Sequence, residues 1–242
     1  MALPKIKTPI YDVYLPYSKK EVQFRPFLVK EEKILAIAFE GNDPKEMTRA
    51  MKQIINNCCL SDNIDIDKLP IFELEYLFLK LRSKSVNNVS ELKFRCKNKV
   101  ATESGEEKEC NTTINCNLNL DDIKLPENKV SNEVKINKDL TVVFKYPTID
   151  LVNLIGEDTD QSDLIINMIV SCVDYFYDKD TTYRDFKPEE AKELIQSLTL
   201  NDFKKLEQFF QNIPTLKHEE ILECPKCKFT QIINFNGLKD FF

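Results

Sequence analysis

The sequence predicts an α+β protein: an N-terminal β-hairpin arm and helical layer, then a small cysteine-bearing β module with a helical bundle inserted into it. Three observations carry this. Apolar residues alternate with polar ones at 10–15 and 21–27, the period of a strand. From Val29 to Lys84 they recur at spacings of three and four, the period of a helix. Cysteines then stand in strand-like runs on either side of a long stretch of helical pattern. The divisions follow from these changes: 1–90 for the arm and helices, 91–125 with 216–242 for the β module, and 126–215 for the insert.

Three prolines within the first sixteen residues forbid a helix there and leave an extended arm. The runs 11–15 and 21–27 form a β-hairpin turning at Pro16-Tyr17-Ser18-Lys19. A helix follows over 30–40, with Ile34, Leu35, Ile37 and Ala38 on one face and Gly41 as its stop. Asp43-Pro44 opens the next helix with a capping side chain and a proline in the first turn. Its stripe is Met47, Ala50, Met51, Ile54, Ile55 and Cys58, which makes Cys58 a core thiol. The helix from Ile71 to Lys84 is apolar on more than one side, so it is either central to its layer or shared with a partner.

Cys224-Pro225-Lys226-Cys227 is the half-site from which structural zinc centres are built. A half-site needs a partner. Cys96 closes a strand-like run holding Leu92 and Phe94, and Cys110 opens another over 111–120, so the pattern predicts a four-thiolate Zn2+ site at Cys96, Cys110, Cys224 and Cys227 in a zinc-ribbon-like module. Residues 97–109, with four glutamates and three lysines, read as a solvated insertion that opens the tip of the first knuckle. Cys116 and His218 are fallback ligands. A redox pair competes, but a thioredoxin-type motif leads into a helix, whereas Cys227 is followed by the strand pattern Lys-Phe-Thr-Gln-Ile-Ile-Asn-Phe. Unligated thiols or a disulfide stay open as well.

Between the two halves, 133–138 and 140–146 form a second hairpin about Asn137-Lys138-Asp139, and 148–155 a short helix. A long apolar helix is expected over 163–177, with Cys172 on its core stripe, then a loop over 178–184. Pro188 opens a helix through Leu198, and Asn201 caps another that Pro214 ends. Metal at the cysteines would close a loop of more than a hundred residues around this insert, worth on the order of 4 kcal/mol against the unfolded chain.

Composition narrows the function. Apolar residues at 42% and charged residues at 31% are those of a soluble globular protein. A net charge of −6 opposes binding through phosphate neutralisation, although lysines cluster over 93–99 and at Lys226 and Lys228. Irregularly spaced cysteines without a signal peptide point to a reducing compartment, the cytoplasm, and no apolar run is long enough to span a membrane. Neither a glycine-rich phosphate loop nor a nucleophile or metalloprotease motif is present, and the acidic pairs Glu31-Glu32, Asp121-Asp122 and Glu189-Glu190 are adjacent, which points their carboxylates apart. No enzyme is expected. A four-thiolate zinc has no open position and is structural.

Leu3-Pro4-Lys5-Ile6-Lys7-Thr8-Pro9, the run Phe24-Arg25-Pro26-Phe27-Leu28-Val29-Lys30-Glu31-Glu32-Lys33, and the stretch from Phe72 through Leu81 to Val86 closely resemble the baseplate hub protein family of T-even-type contractile-tailed bacteriophages. The CxxC hairpin and the tail Gly237-Leu238-Lys239-Asp240-Phe241-Phe242 are similar to the family's ending. The resemblance implies a subunit or assembly factor of the hub at the tail tip, with no catalytic residue to carry over. It implies other hub proteins as partners, in homo- or hetero-oligomers, and a place in the host cytoplasm during assembly and in the virion tail. Excess apolar area and extended backbone put the partner surface on the arm and the third helix: Ile10, Tyr11, Val13, Phe24, Phe27, Tyr76 and Phe78. The competing class is a zinc-ribbon nucleic-acid-binding phage regulator.

Overall fold

Val13 and Leu15 on one strand and Val22 and Phe24 on the next turn to the same side, while Asp12, Tyr14, Glu21 and Gln23 face water. In the computed structural model, which describes residues 6–41, 43–101, 107–126, 131–154 and 161–241, this alternation becomes an antiparallel hairpin. Its strands are β1 (Tyr11–Leu15) and β2 (Lys20–Phe24), with Val13 opposite Val22. Helix α1 (Val29–Gly41) follows. At its start the buried Glu31 accepts from the Leu28 N–H at 2.8 Å and pairs with Arg25 at 3.0 Å. Burial alone would raise this carboxyl, but the guanidinium and the Leu28 N–H hold it below the usual carboxylate range. Helix α2 (Pro44–Cys58) is capped by Asp43, whose side chain accepts from the Lys45 N–H at 2.8 Å.

Helix α3 (Ile71–Ser85) is central because it has no polar side to spare. Leu74, Leu77, Phe78 and Leu81 enter a core with the hairpin, α1 and α2. Phe72 and Leu79 enter a second core, and Tyr76 touches both. Glu73, fully buried on this helix, holds the hairpin turn: it accepts from the Tyr17 N–H at 2.7 Å, the Ser18 N–H at 3.0 Å and the Ser18 hydroxyl.

The second core belongs to the β module. Strand β3 (Val89–Arg95) leads to a short ribbon of β4 (Lys99–Ala101) and β5 (Glu107–Glu109), then β6 (Thr113–Asn119) returns along β3 with Leu92 opposite Cys116. The insertion at 97–109 is thus partly a hairpin of its own; residues 102–106 lie outside the described residues.

In the middle of the chain, β7 (Glu133–Lys135) and β8 (Thr141–Phe144) form the expected hairpin, followed by α4 (Ile149–Leu154) and α5 (Gln161–Cys172). Here the structure departs from the sequence expectation. The helix ends at Cys172, and Val173-Asp174-Tyr175-Phe176-Tyr177 becomes strand β9 (Val173–Tyr177). Its β-branched and aromatic side chains suit a strand, and β8 offers an edge that a longer helix would leave unpaired. The expected loop holds β10 (Thr182–Tyr183), giving a four-stranded sheet ordered β10-β9-β8-β7. Helices α6 (Pro188–Gln196) and α7 (Leu200–Gln211) pack with it, Phe144 stacking on Phe209 with ring centroids 4.8 Å apart. The insert is therefore a four-stranded sheet with helices packed on it, where a β-hairpin and a helical bundle were expected. The cap of α7 is Thr199, not Asn201; its hydroxyl accepts from the Asp202 N–H at 3.2 Å.

Strands β11 (Lys217–Glu223) and β12 (Thr230–Asn236) close the β module, and a 3-10 turn (Leu238–Phe241) pins its end to β3 through a bond from the Ser90 hydroxyl to the Phe241 carbonyl at 2.7 Å. The architecture is α+β. Among the described residues no helix is long and apolar enough to cross a membrane.

Candidate metal centre

The end of β11 delivers Cys224 and the start of β12 receives Cys227, so the CxxC turn is the tip of a hairpin. The Cys224 N–H donates to the Phe229 carbonyl at 2.9 Å, and the Lys228 N–H returns to the Cys224 carbonyl at 3.0 Å. At the other hairpin, the Cys96 N–H donates to the Thr112 carbonyl at 2.9 Å and the Asn111 N–H to the Cys96 carbonyl at 3.2 Å. Cys110 therefore occupies the place of Cys227, and Asn111 that of Lys228. The thirteen residues between its cysteines leave the knuckle's base intact because the Cys110 N–H bonds to the Asn98 carbonyl at 2.8 Å, closing the insertion at its root.

The two knuckles meet at the second core, and the sulfurs of Cys96, Cys110, Cys224 and Cys227 lie within 4.8 Å of one another. Cys96 Sγ is 3.6 Å from Cys227 Sγ, and Cys110 Sγ is 3.8 Å from Cys224 Sγ. A tetrahedron with metal–sulfur bonds of about 2.3 Å has edges of about 3.8 Å. The donor set thus fits a tetrahedral, thiophilic cation such as Zn2+, and these contacts are far longer than the roughly 2.05 Å of a sulfur–sulfur bond.

Hydrogen-bond donors surround the sulfurs. The Asn98 side-chain amide points at Cys227 Sγ at 3.5 Å, and it and the Phe229 N–H pull that thiol down to about 6. The Thr112 hydroxyl lies 3.2 Å from Cys110 Sγ and, with the Thr112 N–H, lowers that thiol too. Burial pushes Cys96 up to about 12. Four like charges at this spacing cannot ionise together unaided; a divalent cation would let all four be thiolates. Plain core thiols show the contrast: burial raises Cys58 to about 11 and Cys172 to about 12, and neither has a second sulfur of this cluster beside it.

The two fallback ligands point elsewhere. Cys116 is buried in the second core on β6, outside the four-sulfur group, and His218 bonds to Glu220 at 3.0 Å beside the Phe235 ring. Of the residues expected at a partner surface, Val13, Phe24, Phe27 and Phe78 are buried in the first core. Tyr11 and Tyr76 are half-buried against it, and only Ile10, 58% exposed, is open to solvent. Sequence reasoning missed Asn98 and Thr112. Each stands two residues after a cysteine, Thr112 turning to the sulfur of its own knuckle and Asn98 to that of the other, and that spacing is the signal that could have found them.

The chain matches no curated protein and no solved structure. A family model described as "T4 bacteriophage base plate protein" matches residues 8–242, which takes in the hairpin arm, the shared helix, the inserted sheet and both knuckles. The chain belongs to the T4 bacteriophage base plate protein family.

Proposed function

We propose that this chain is a non-enzymatic subunit or assembly factor of the hub of a contractile-tail baseplate, held rigid by a structural Zn2+ at Cys96, Cys110, Cys224 and Cys227. The observation that carries the reading is the family match over residues 8–242; the four-sulfur cluster supports the metal. A zinc bound by four thiolates supplies no reactive position, only a cross-link. The residues around it do the rest: Asn98, Thr112 and the Phe229 N–H stabilise charge on sulfur, and lysines stand near the cysteines in sequence at 97, 99, 226 and 228. The same lysines are the footing of the nucleic-acid alternative, against which the net charge of −6 weighs.

On this reading the chain has three working parts, 1–90, 91–125 with 216–242, and 126–215. Ile10 and the neighbouring arm offer exposed apolar surface to other hub proteins, while Val13, Phe24, Phe27 and Phe78 support that surface from within. The test is co-expression with the other baseplate proteins of the same phage, followed by affinity capture, metal analysis and a search for the chain in mature virions. Capture of hub proteins by a chain carrying one zinc supports the proposal. A chain that captures none of them, or that shifts DNA mobility in a salt-dependent way, would overturn it.

A further inference from the structure

Where the C-terminal turn crosses the helical layer, Leu35, Met47, Met51, Phe78 and Leu238 wall a cleft of about 480 Å3. A water needs about 30 Å3, so the cleft has room for side chains. One carboxylate, Glu75 of α3, lies in this apolar lining, and it makes no hydrogen bond or ion pair among the described residues. Lys239, the cation among the described lining residues, stands exposed at the cleft without pairing with it. A half-buried carboxylate with no donor is costly, and it differs from its neighbour Glu73, whose oxygens are taken up by the hairpin turn.

We propose that this cleft receives a lysine or arginine side chain carried on an apolar segment of another baseplate protein, its cationic head pairing with Glu75. The occupant is chosen by charge and shape: the head meets the unpaired carboxylate, and the aliphatic stem lies against Met47, Met51 and Phe78. Two methionines give the wall the adaptability that such contacts use. Burial also raises the Glu75 carboxyl to about 7, the condition a cationic partner would reverse. The proposal rests on the reading of the chain as a baseplate protein and adds the place and chemistry of one contact.

The experiment uses the full chain with a photo-crosslinking amino acid at position 48, in the cleft wall, co-expressed with the baseplate proteins of its phage. The expected result is a crosslink to one of them, within a segment holding a lysine or arginine beside apolar residues. E75Q should weaken that complex tenfold or more, E75K should abolish it, and replacing the mapped cation by glutamate should restore binding to E75K. Three outcomes sink the cleft proposal alone: E75Q binding as tightly as the unmodified chain, crosslinks joining only two copies of this chain, or complex formation with no crosslink from position 48. If the unmodified chain joins no baseplate protein at all, the functional reading fails first. The crosslink needs no change at Glu75, so it decides the matter even if a charge variant misfolds.

Discussion

Asn111 and Lys228 occupy the same point of two knuckles that differ in length by eleven residues: each has a positive φ, 50° and 60°, and each returns its N–H to the first cysteine of its turn. Left-handed backbone is strained for a side chain with a Cβ and free for glycine. Lys228→Gly should therefore raise stability by about 0.5–1 kcal/mol, and Lys228→Val should lower it by about 1–2 kcal/mol, without a change in metal content. Thermal melts of the two variants check the signs.

Metal removal should cost more than any single surface change. The Cys110 and Cys224 sulfurs are 114 residues apart in sequence, and cross-linking a loop of that size constrains the unfolded chain by about 4–5 kcal/mol. A chelator should lower the melting temperature by many degrees. Cys96→Ser and Cys224→Ser should reduce bound zinc from one per chain to a small fraction, whereas Cys116→Ser and His218→Ala should leave one. Plasma mass spectrometry of the five proteins gives the answer, and a loss of zinc on the His218 change would show that the ligand set is wrong.

Glu73 is the post on which the first hairpin hangs. Replacing it with alanine leaves the Tyr17 and Ser18 N–H groups without their acceptor, and should destabilise the chain by about 2–4 kcal/mol. Amide hydrogen exchange should show the loss first at residues 11–24. Equal acceleration throughout the chain would mean that the hairpin is not docked independently of its surroundings.

For Glu75 the pH dependence has a definite sign. Its carboxyl sits at about 7 in the folded chain and in the ordinary range, near 4.5, when unfolded, so the folded state holds the proton more tightly. Stability then falls as pH rises from about 4.5 to 7, by on the order of 2–3 kcal/mol, and Glu75→Gln should remove that fall. Lys239, on the facing turn, is the other ionisable group among the described residues that line this cleft. Urea melts of both proteins at pH 5 and pH 8 measure it; parallel pH profiles would contradict the assignment.

Much of the fold was legible because local signals agreed with the tertiary answer. The alternation of Val13, Leu15, Val22 and Phe24, the Asp43-Pro44 start and the stripe from Met47 to Cys58 each encode one element, and each element formed. The run Met168, Ile169, Cys172, Val173 and Phe176 misled because helical spacing and β-branched content both fit it, and β8, some thirty residues away, decided for a strand. The cysteine quartet was readable from spacing. What was not readable is which polar side chains are drawn inside: Asn98 and Thr112 at the sulfurs, Glu73 under the turn and Glu75 in its cleft sit in patterns that also describe exposed residues. Likewise Phe24 and Phe78 carry the apolar excess of an interface, and only the meeting of hairpin and helices shows that they face inward.

Helix α3 lends Phe72 and Leu79 to a core whose other walls include Leu216, Leu222 and Phe235. Those walls leave the ribosome more than a hundred residues later, which at ordinary rates of translation is a delay of roughly ten seconds or more. Throughout that interval the nascent polypeptide carries a greasy, half-clad helix, and the cell's chaperones, or an early-arriving neighbour, have a window in which to hold it.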